Sequence, residues 1–372
     1  MNRRGFLSLA AATPILASDS DLPHYKIVTK YKPIPGQGMP GKYPGQVARV
    51  HSDAVLDEAT DTVNAARVET MIDDGMKMLT GDRDPRDSWA RFIQPHDVVG
   101  IKVNCSGAPR IMSSPEVVAA VVKNLMKVGV PPERITIYER FPDQMRTVGY
   151  EKYVPAGVTV TGIEGQRGAI LGYDPYTYVE ADFFGEDDTR SNMVRLVTEK
   201  FTKIVNIPNM KEHQASGVTG CLKNIAYGDY SNVARSHRNA KTNTYSFIGT
   251  LASVEPLRSR AVLAVMDGLR GVWHGGPFNT EQRFRFYPKM MQFGTDPVAM
   301  DHLLLDVIEA KRKQEGAPSL WDRSPSHLWT GRHELDPRKN LFIREPGHIQ
   351  YASTLGLGVY DLDKIHLKAV SL

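Results

Sequence analysis

The sequence predicts an α/β protein: a largely parallel or mixed sheet flanked by helices in three layers, with an extended N-terminal arm. Three observations point there. Short apolar runs bounded by Gly, Pro and polar residues recur at 98–104 (VVGIKVN), 134–140 (RITIYER), 158–163, 203–208, 261–267, 290–294 and 365–370, which is strand patterning. Between the first two lies SPEVVAAVVKNLMKVG (114–129), where Ser114 and Pro115 open a helix; strand, helix and strand at this spacing form a βαβ unit with a parallel pair. No repeat of solenoid length is visible and no linker divides the chain into halves.

From the N-terminus, MNRRGFLSLAAATPILAS sets Arg3 and Arg4 before a short apolar stretch and small residues around Ala17 and Ser18, the pattern of a twin-arginine signal peptide over residues 1–18. The stretch is too short and too interrupted for a stable membrane anchor. The protein is therefore expected in the periplasm or another extracytoplasmic space, with the twin-arginine export machinery as a partner. That route carries chains already folded, often around a cofactor.

Residues 19–50 are rich in Pro, Gly, Lys and Tyr and read as an extended arm. Val68, Met71, Ile72, Met76 and Leu79 repeat at helical spacing before Gly81, so arm and amphipathic helix together fill 19–90. Residues 91–372 form the single α/β domain, with further helices near 219–226, 297–313 and 349–355. The stretches 164–200 and 229–258 show weak periodicity and read as excursions that wall a pocket.

Composition narrows the function classes. The 372 residues are 41% hydrophobic and 24% charged, with a net charge of +4 spread evenly, which suits a globular protein handling a small anion and argues against nucleic acid. Cys105 and Cys221 are too few to hold an iron–sulfur cluster; a bridge between them and two separate buried thiols both fit. There is neither a P-loop nor a strand-linked GxGxxG, so no NTP or NAD site is indicated.

The chemistry concentrates in 204–224, IVNIPNMKEHQASGVTGCLKN, an apolar run that breaks at Pro208 and passes through a Gly-containing turn into a helix. Lys211 and His213, two apart in extended chain, project to one side: a fixed positive charge beside a group that titrates near neutrality. Lys102 and Asn104 share one face at the C-terminal end of a strand, where open α/β sheets bind ligands. Lys223 and Asn224 lie one turn into the helix, and the amides and hydroxyls of SGVTG, with Ser216 and Thr219, would face an anion. Arg235, His237 and Arg238 would make the pocket strongly cationic if they fold back. Asp267 and Asp301 are the candidates for orienting the cations or binding a divalent metal, while Asp296 before Pro297 is a helix N-cap. Trp273, His274, Gly275 and Gly276 read as a lid or a turn.

The segments DVVGIKVN, SSPEVVAAVVKNLMKVG before ITIYER, NMKEHQASGVTGCLKN, AVMDGL followed by GGP, and FGTDPVAMD, in this order over about 95–310, resemble the family called domain of unknown function 362. The resemblance implies an α/β domain, in some members fused to ferredoxin-like iron–sulfur modules, and no family-wide reaction. This chain lacks the cysteine-rich module.

Together these readings lead to an exported enzyme acting on a small carboxylate-type substrate by proton transfer, isomerisation or elimination. His213, Lys211, Lys223 and Lys102 are the catalytic candidates, and Asn104, Ser216, Thr219, Asn224, Arg235, His237 and Arg238 the substrate-binding ones. A cofactor-dependent oxidoreductase and a non-catalytic binder of anionic ligands are the alternatives; the cofactor stays open, a divalent metal included.

Overall fold

The computed structural model describes residues 22–164, 172–237, 243–278, 281–322, 324–327, 336–339 and 346–372; the signal-peptide reading and Arg238 fall outside them. The described chain is built on an 11-stranded mixed sheet. Five strands run parallel in the order Ala261–Val272, Lys203–Asn206, Val99–Lys102, Ile135–Glu139 and Thr159–Gly162. Met290–Gly294 adds antiparallel to Ala261–Val272, followed by Gln46–His51 and His366–Ser371 at the far edge.

Period-2 alternation assigns the faces. Val99, Ile101, Val103, Ile135, Ile137, Val205 and Val265 join one apolar cluster with the helices Ala65–Thr80 and Pro115–Lys127. Ile204, Ala264 and Met266 join the other, under the helices Gly220–Gly228, Thr244–Ser253, Pro297–Gln314 and His348–Thr354. That is the three-layer sandwich expected. Asn64 caps the first of these helices and Asp296 caps Pro297–Gln314 by accepting from Ala299 N–H, as its position before Pro297 implied.

The arm needs correction at its end: Gln46–His51 is an interior sheet strand, with Ala48 and Val50 buried on one face and Val47 on the other. Two stretches read as irregular also hold elements. Tyr173–Glu180 and Arg190–Val194 form an antiparallel pair that Lys26–Val28 extends, and Thr244–Ser253 is a helix. Cys105 and Cys221 are free, buried thiols. Among the described residues no helix is long and apolar enough to cross a membrane.

The order of the strands places the site. From Val99–Lys102 the chain moves outward on one side to Ile135–Glu139, then returns to the other side with Lys203–Asn206. This reversal is a topological switch point, where open α/β sheets leave a crevice outside the C-terminal ends of the two central strands.

Candidate functional site

A cavity of about 520 Å³ opens at this switch point, a size suited to a small organic molecule. Its polar lining includes Lys102, Asn104, Glu139, Arg140, His213, Thr219, Lys223, Asn224 and His237, and its apolar lining includes Tyr227, Val233, Phe141 and Phe278. Phe141 and Phe278 are exposed aromatics on its wall.

On the floor, Lys102 is fully buried, and its Nζ donates to Glu139 Oε2 at 2.9 Å and to the Val103 carbonyl at 2.6 Å. A charge at this depth is tolerable because the adjacent strand supplies a partner. Room for it comes from Gly228: a Cβ there would sit 2.0 Å from Lys102 Cε. Asp229, at the end of the same helix, has its carboxyl pushed up to about 7 by burial, with Lys102 pulling the other way.

Beside this pair runs a one-way chain of amides. Lys211 Nζ donates to Asn104 Oδ1 at 2.6 Å, Asn104 Nδ2 to Asn224 Oδ1 at 2.8 Å, Asn224 Nδ2 to Asn206 Oδ1 at 2.7 Å, and Asn206 Nδ2 to the Cys221 carbonyl at 3.0 Å. Lys211 also donates to Ser106 Oγ. The chain ties three strand ends to the helix Gly220–Gly228, so its members are held in one geometry. Burial lowers the Lys211 ammonium to about 7 even though Glu139 favours its charge.

The reactive-looking pair is His213 and Lys223, joined Nε2 to Nζ at 2.7 Å. His213 Nδ1 accepts the Ala215 N–H at 3.0 Å, so that nitrogen is bare and Nε2 carries the proton of the neutral ring. Nε2–H therefore donates to Lys223, which must offer a lone pair and hence be a neutral amine. Burial is the main cause that drives both groups well below their ordinary values, with the neighbouring positive charges of Lys211 and Arg140 adding to it at Lys223. Lys223 sits 4.7 Å over the Tyr227 ring. His237 lies tilted beside His213 at 5.3 Å between ring centroids; its Nδ1 donates to the Ala234 carbonyl at 3.2 Å, leaving Nε2 bare, and burial lowers it to about 3.

The pocket is thus less cationic than the count of Lys, Arg and His suggests. Lys102 and Arg140 are paired with Glu139 and Glu164, and the other bases are held toward neutrality.

The structure brings together Lys102, Asn104, Lys211, His213, Thr219, Lys223, Asn224 and His237; the Thr219 Oγ1 is buried without a hydrogen-bond partner. Four expectations need correcting. Ser216 turns its hydroxyl to the Val218 carbonyl. Arg235 is buried away from the cavity, bonded to Glu186 and to the carbonyls of Ala181, Thr189 and Asn232. Four amides of the SGVTG turn and the helix start are taken: Ser216 N–H by His213 O, Thr219 N–H by Lys211 O, and Cys221 and Leu222 N–H by the Asp301 carboxylate at 2.5 and 2.9 Å. Asp301 is therefore the cap of that helix, and Asp267 accepts from Ser114 and Leu269 N–H at 2.6 and 2.9 Å. Both carboxylates are spent on backbone and neither lines the cavity, so the metal-ligand reading of these two gives way to capping. Among the described residues no group of three or more His, Cys, Asp or Glu is arranged to hold a metal ion.

Trp273 and His274 are buried beside Phe284, while Pro277 and Phe278 just beyond reach the cavity wall. Sequence reasoning did not single out Ser106, Glu139, Arg140, Asn206, Tyr227 or Gly228. Glu139 alone carried a signal, a charged residue closing an apolar strand beside the one that bears Lys102.

The fold and the crevice define an α/β protein with a buried lysine–histidine pair at a sheet switch point. The chain belongs to the family described as Domain of unknown function (DUF362), which matches residues 99–306, more than half of the 372. Among solved structures, the crystal structure of a protein from Thermotoga maritima aligns with a TM-score of 0.41 and 11% identity, over 68% of this chain and 59% of that one. The alignment thus takes in less than two thirds of that protein's length. No curated protein matches the sequence.

Proposed function

We propose that the protein is an exported enzyme that moves a proton on a small organic carboxylate bound in the switch-point cavity. The observation that carries this reading is the His213–Lys223 pair, Nε2 and Nζ 2.7 Å apart on the wall of a small, amphipathic cavity, with burial driving both groups below their ordinary values. A buried base held neutral at physiological pH is what proton abstraction beside a carboxylate requires. Burial and nearby positive charge at Lys223 favour a ligand that brings negative charge, since an anion would offset Lys211 and Arg140. The amide chain through Asn104 and Asn224 supports the reading as a rigid wall that keeps the pair in place. The N-terminal Arg3–Arg4 pattern is the support for export.

The test is to incubate the protein with a panel of small 2-oxo and 2-hydroxy carboxylates in D2O and follow loss of C–H signals by proton NMR. At least one should exchange, and His213→Ala should slow that exchange by at least 100-fold while retaining the wild-type fold. Absence of both binding and exchange across the panel, or equal exchange by His213→Ala, would overturn the proposal.

A further inference from the structure

We propose that Lys223 forms a covalent imine with the carbonyl carbon of its substrate, which makes that substrate a small 2-oxo acid or a related carbonyl-bearing carboxylate. The inference rests on the reading of the cavity as a carboxylate site and adds the substrate class and the bond formed.

Three lysines approach the cavity, and geometry separates them. Lys102 is held by Glu139 and a carbonyl, and Lys211 by Asn104 and Ser106. Lys223 has no carboxylate within ion-pair distance among the described residues; its polar partner is His213 Nε2, toward which it must act as acceptor. Imine formation needs a lysine that is uncharged, reachable from the ligand space and fixed in place. Lys223 meets all three: it lines the cavity, extends from a buried helix and lies on the Tyr227 ring. The charged and titratable groups around it are Lys211 and Arg140, whose charges bear on it, Glu139 on the same cavity lining, Tyr227 under its Nζ, His213 on the neighbouring strand, His237 on the following turn and His348 on the helix His348–Thr354. The positive charges of Lys211 and Arg140 discourage a further charge on the amine.

The step balances without an oxidant. The Lys223 lone pair attacks the carbonyl carbon, and the carbonyl π pair moves to oxygen. As the lone pair leaves its hydrogen bond, His213 Nε2–H is released to donate to that oxygen. The bare His237 Nε2 carries one proton from the substituted nitrogen to the oxygen, and a second proton taken from solvent lets that oxygen depart as water while the nitrogen lone pair forms the C=N bond. The amine gives up one hydrogen and keeps the other, so the product is a protonated iminium, and the carbonyl oxygen leaves as water with one proton from the amine and one from solvent. The resulting iminium would draw electrons from the adjacent carbon, the position from which the proposed proton transfer takes place.

The experiment is reductive trapping of the full-length wild-type protein with pyruvate or glyoxylate and sodium cyanoborohydride at pH 7, followed by peptide mapping. An exposed lysine with an ordinary pKa is about 0.04% neutral at this pH, so a neutral Lys223 should be labelled at least ~100-fold faster than exposed lysines such as Lys123. The expected result is one reduced adduct per chain, on Lys223, lost in Lys223→Arg and suppressed by a competing carboxylate without a carbonyl. Labelling confined to exposed lysines, or an adduct on Lys102 or Lys211, would overturn the proposal. If the panel carboxylates bind and exchange but no adduct forms on Lys223, the imine falls and the proton-transfer reading stands. If none binds and none exchanges, that reading fails as well.

Discussion

Replacing Lys102 with Met strips a fully buried floor of its cation. Glu139, only 6% exposed, then keeps the Arg140 N–H as a partner but loses the ammonium 2.9 Å away. Breaking a buried pair from one side costs about 3–5 kcal/mol, a large share of the ~5–15 kcal/mol that separates a folded domain from its unfolded chain. Glu139→Gln should cost a comparable amount by stranding the ammonium. The double variant removes both charges, so its loss should fall short of the sum by at least ~2 kcal/mol. Asp229 adds a pH signature. Its folded value, about 7, is raised above the unfolded one, so stability present at acid pH is lost as pH rises through that window. Lys102 opposes the shift; without it the window widens, and the Lys102→Met deficit should be larger at pH 8 than at pH 5. Urea unfolding of the four proteins at both pH values measures these quantities. Additive single losses, or a deficit equal at the two pH values, would refute the claim that Lys102 is stabilised as the shared cation of two carboxyl groups.

Burial pushes the Glu212 carboxyl up to about 8, so this group takes stability away as pH rises from the unfolded value of 4.5 through 8. Glu212→Gln should flatten the fall in urea midpoint across pH 5–8, and parallel slopes would speak against it. Gly220 has φ +57°, and a Cβ there would lie 2.2 Å from Asp301 Oδ1, so Gly220→Ala should displace the helix cap and cost at least ~2 kcal/mol by thermal or urea unfolding. A cost within ~0.5 kcal/mol would contradict the capping role of Asp301. Arg235→Lys removes the fork that joins Glu186 to three carbonyls and should lower stability by about 2–3 kcal/mol, with ligand affinity changed less than twofold. Affinity lost at unchanged stability would return Arg235 to the site.

Much of this site was legible because strands and tight turns have simple rules. Alternation put Lys102 and Asn104 on one face, and the two-residue spacing put Lys211 and His213 on one side of an extended chain; the second pair lies within the strand Asn209–His213, while Lys102 ends the strand Val99–Lys102 and Asn104 follows two residues beyond it. Lys223 and Asn224 came within reach once the turn ran into a helix. Asn206 was hidden inside an apolar run, and its role depends on a side chain 18 positions away. Charge counting misled at Arg235, because burial against carbonyl oxygens leaves no mark in the local sequence. It misled again for the pocket's charge, which depends on desolvation rather than on the number of basic residues. The helix Thr244–Ser253 escaped because it is buried on nearly every side and carries no amphipathic stripe. Gln46–His51 was masked by the Pro- and Gly-rich segment around it, and its partners lie more than 200 residues away.

The proposed chemistry turns on the protonation of one hydrogen bond. Nitrogen-15 NMR of selectively labelled protein at pH 7 reports directly which His213 ring nitrogen carries the proton and whether Lys223 is an amine or an ammonium. The geometry predicts a bare Nδ1, a protonated Nε2 and a neutral Lys223 Nζ. An Nδ1-protonated or doubly protonated His213 beside a Lys223 ammonium would contradict it.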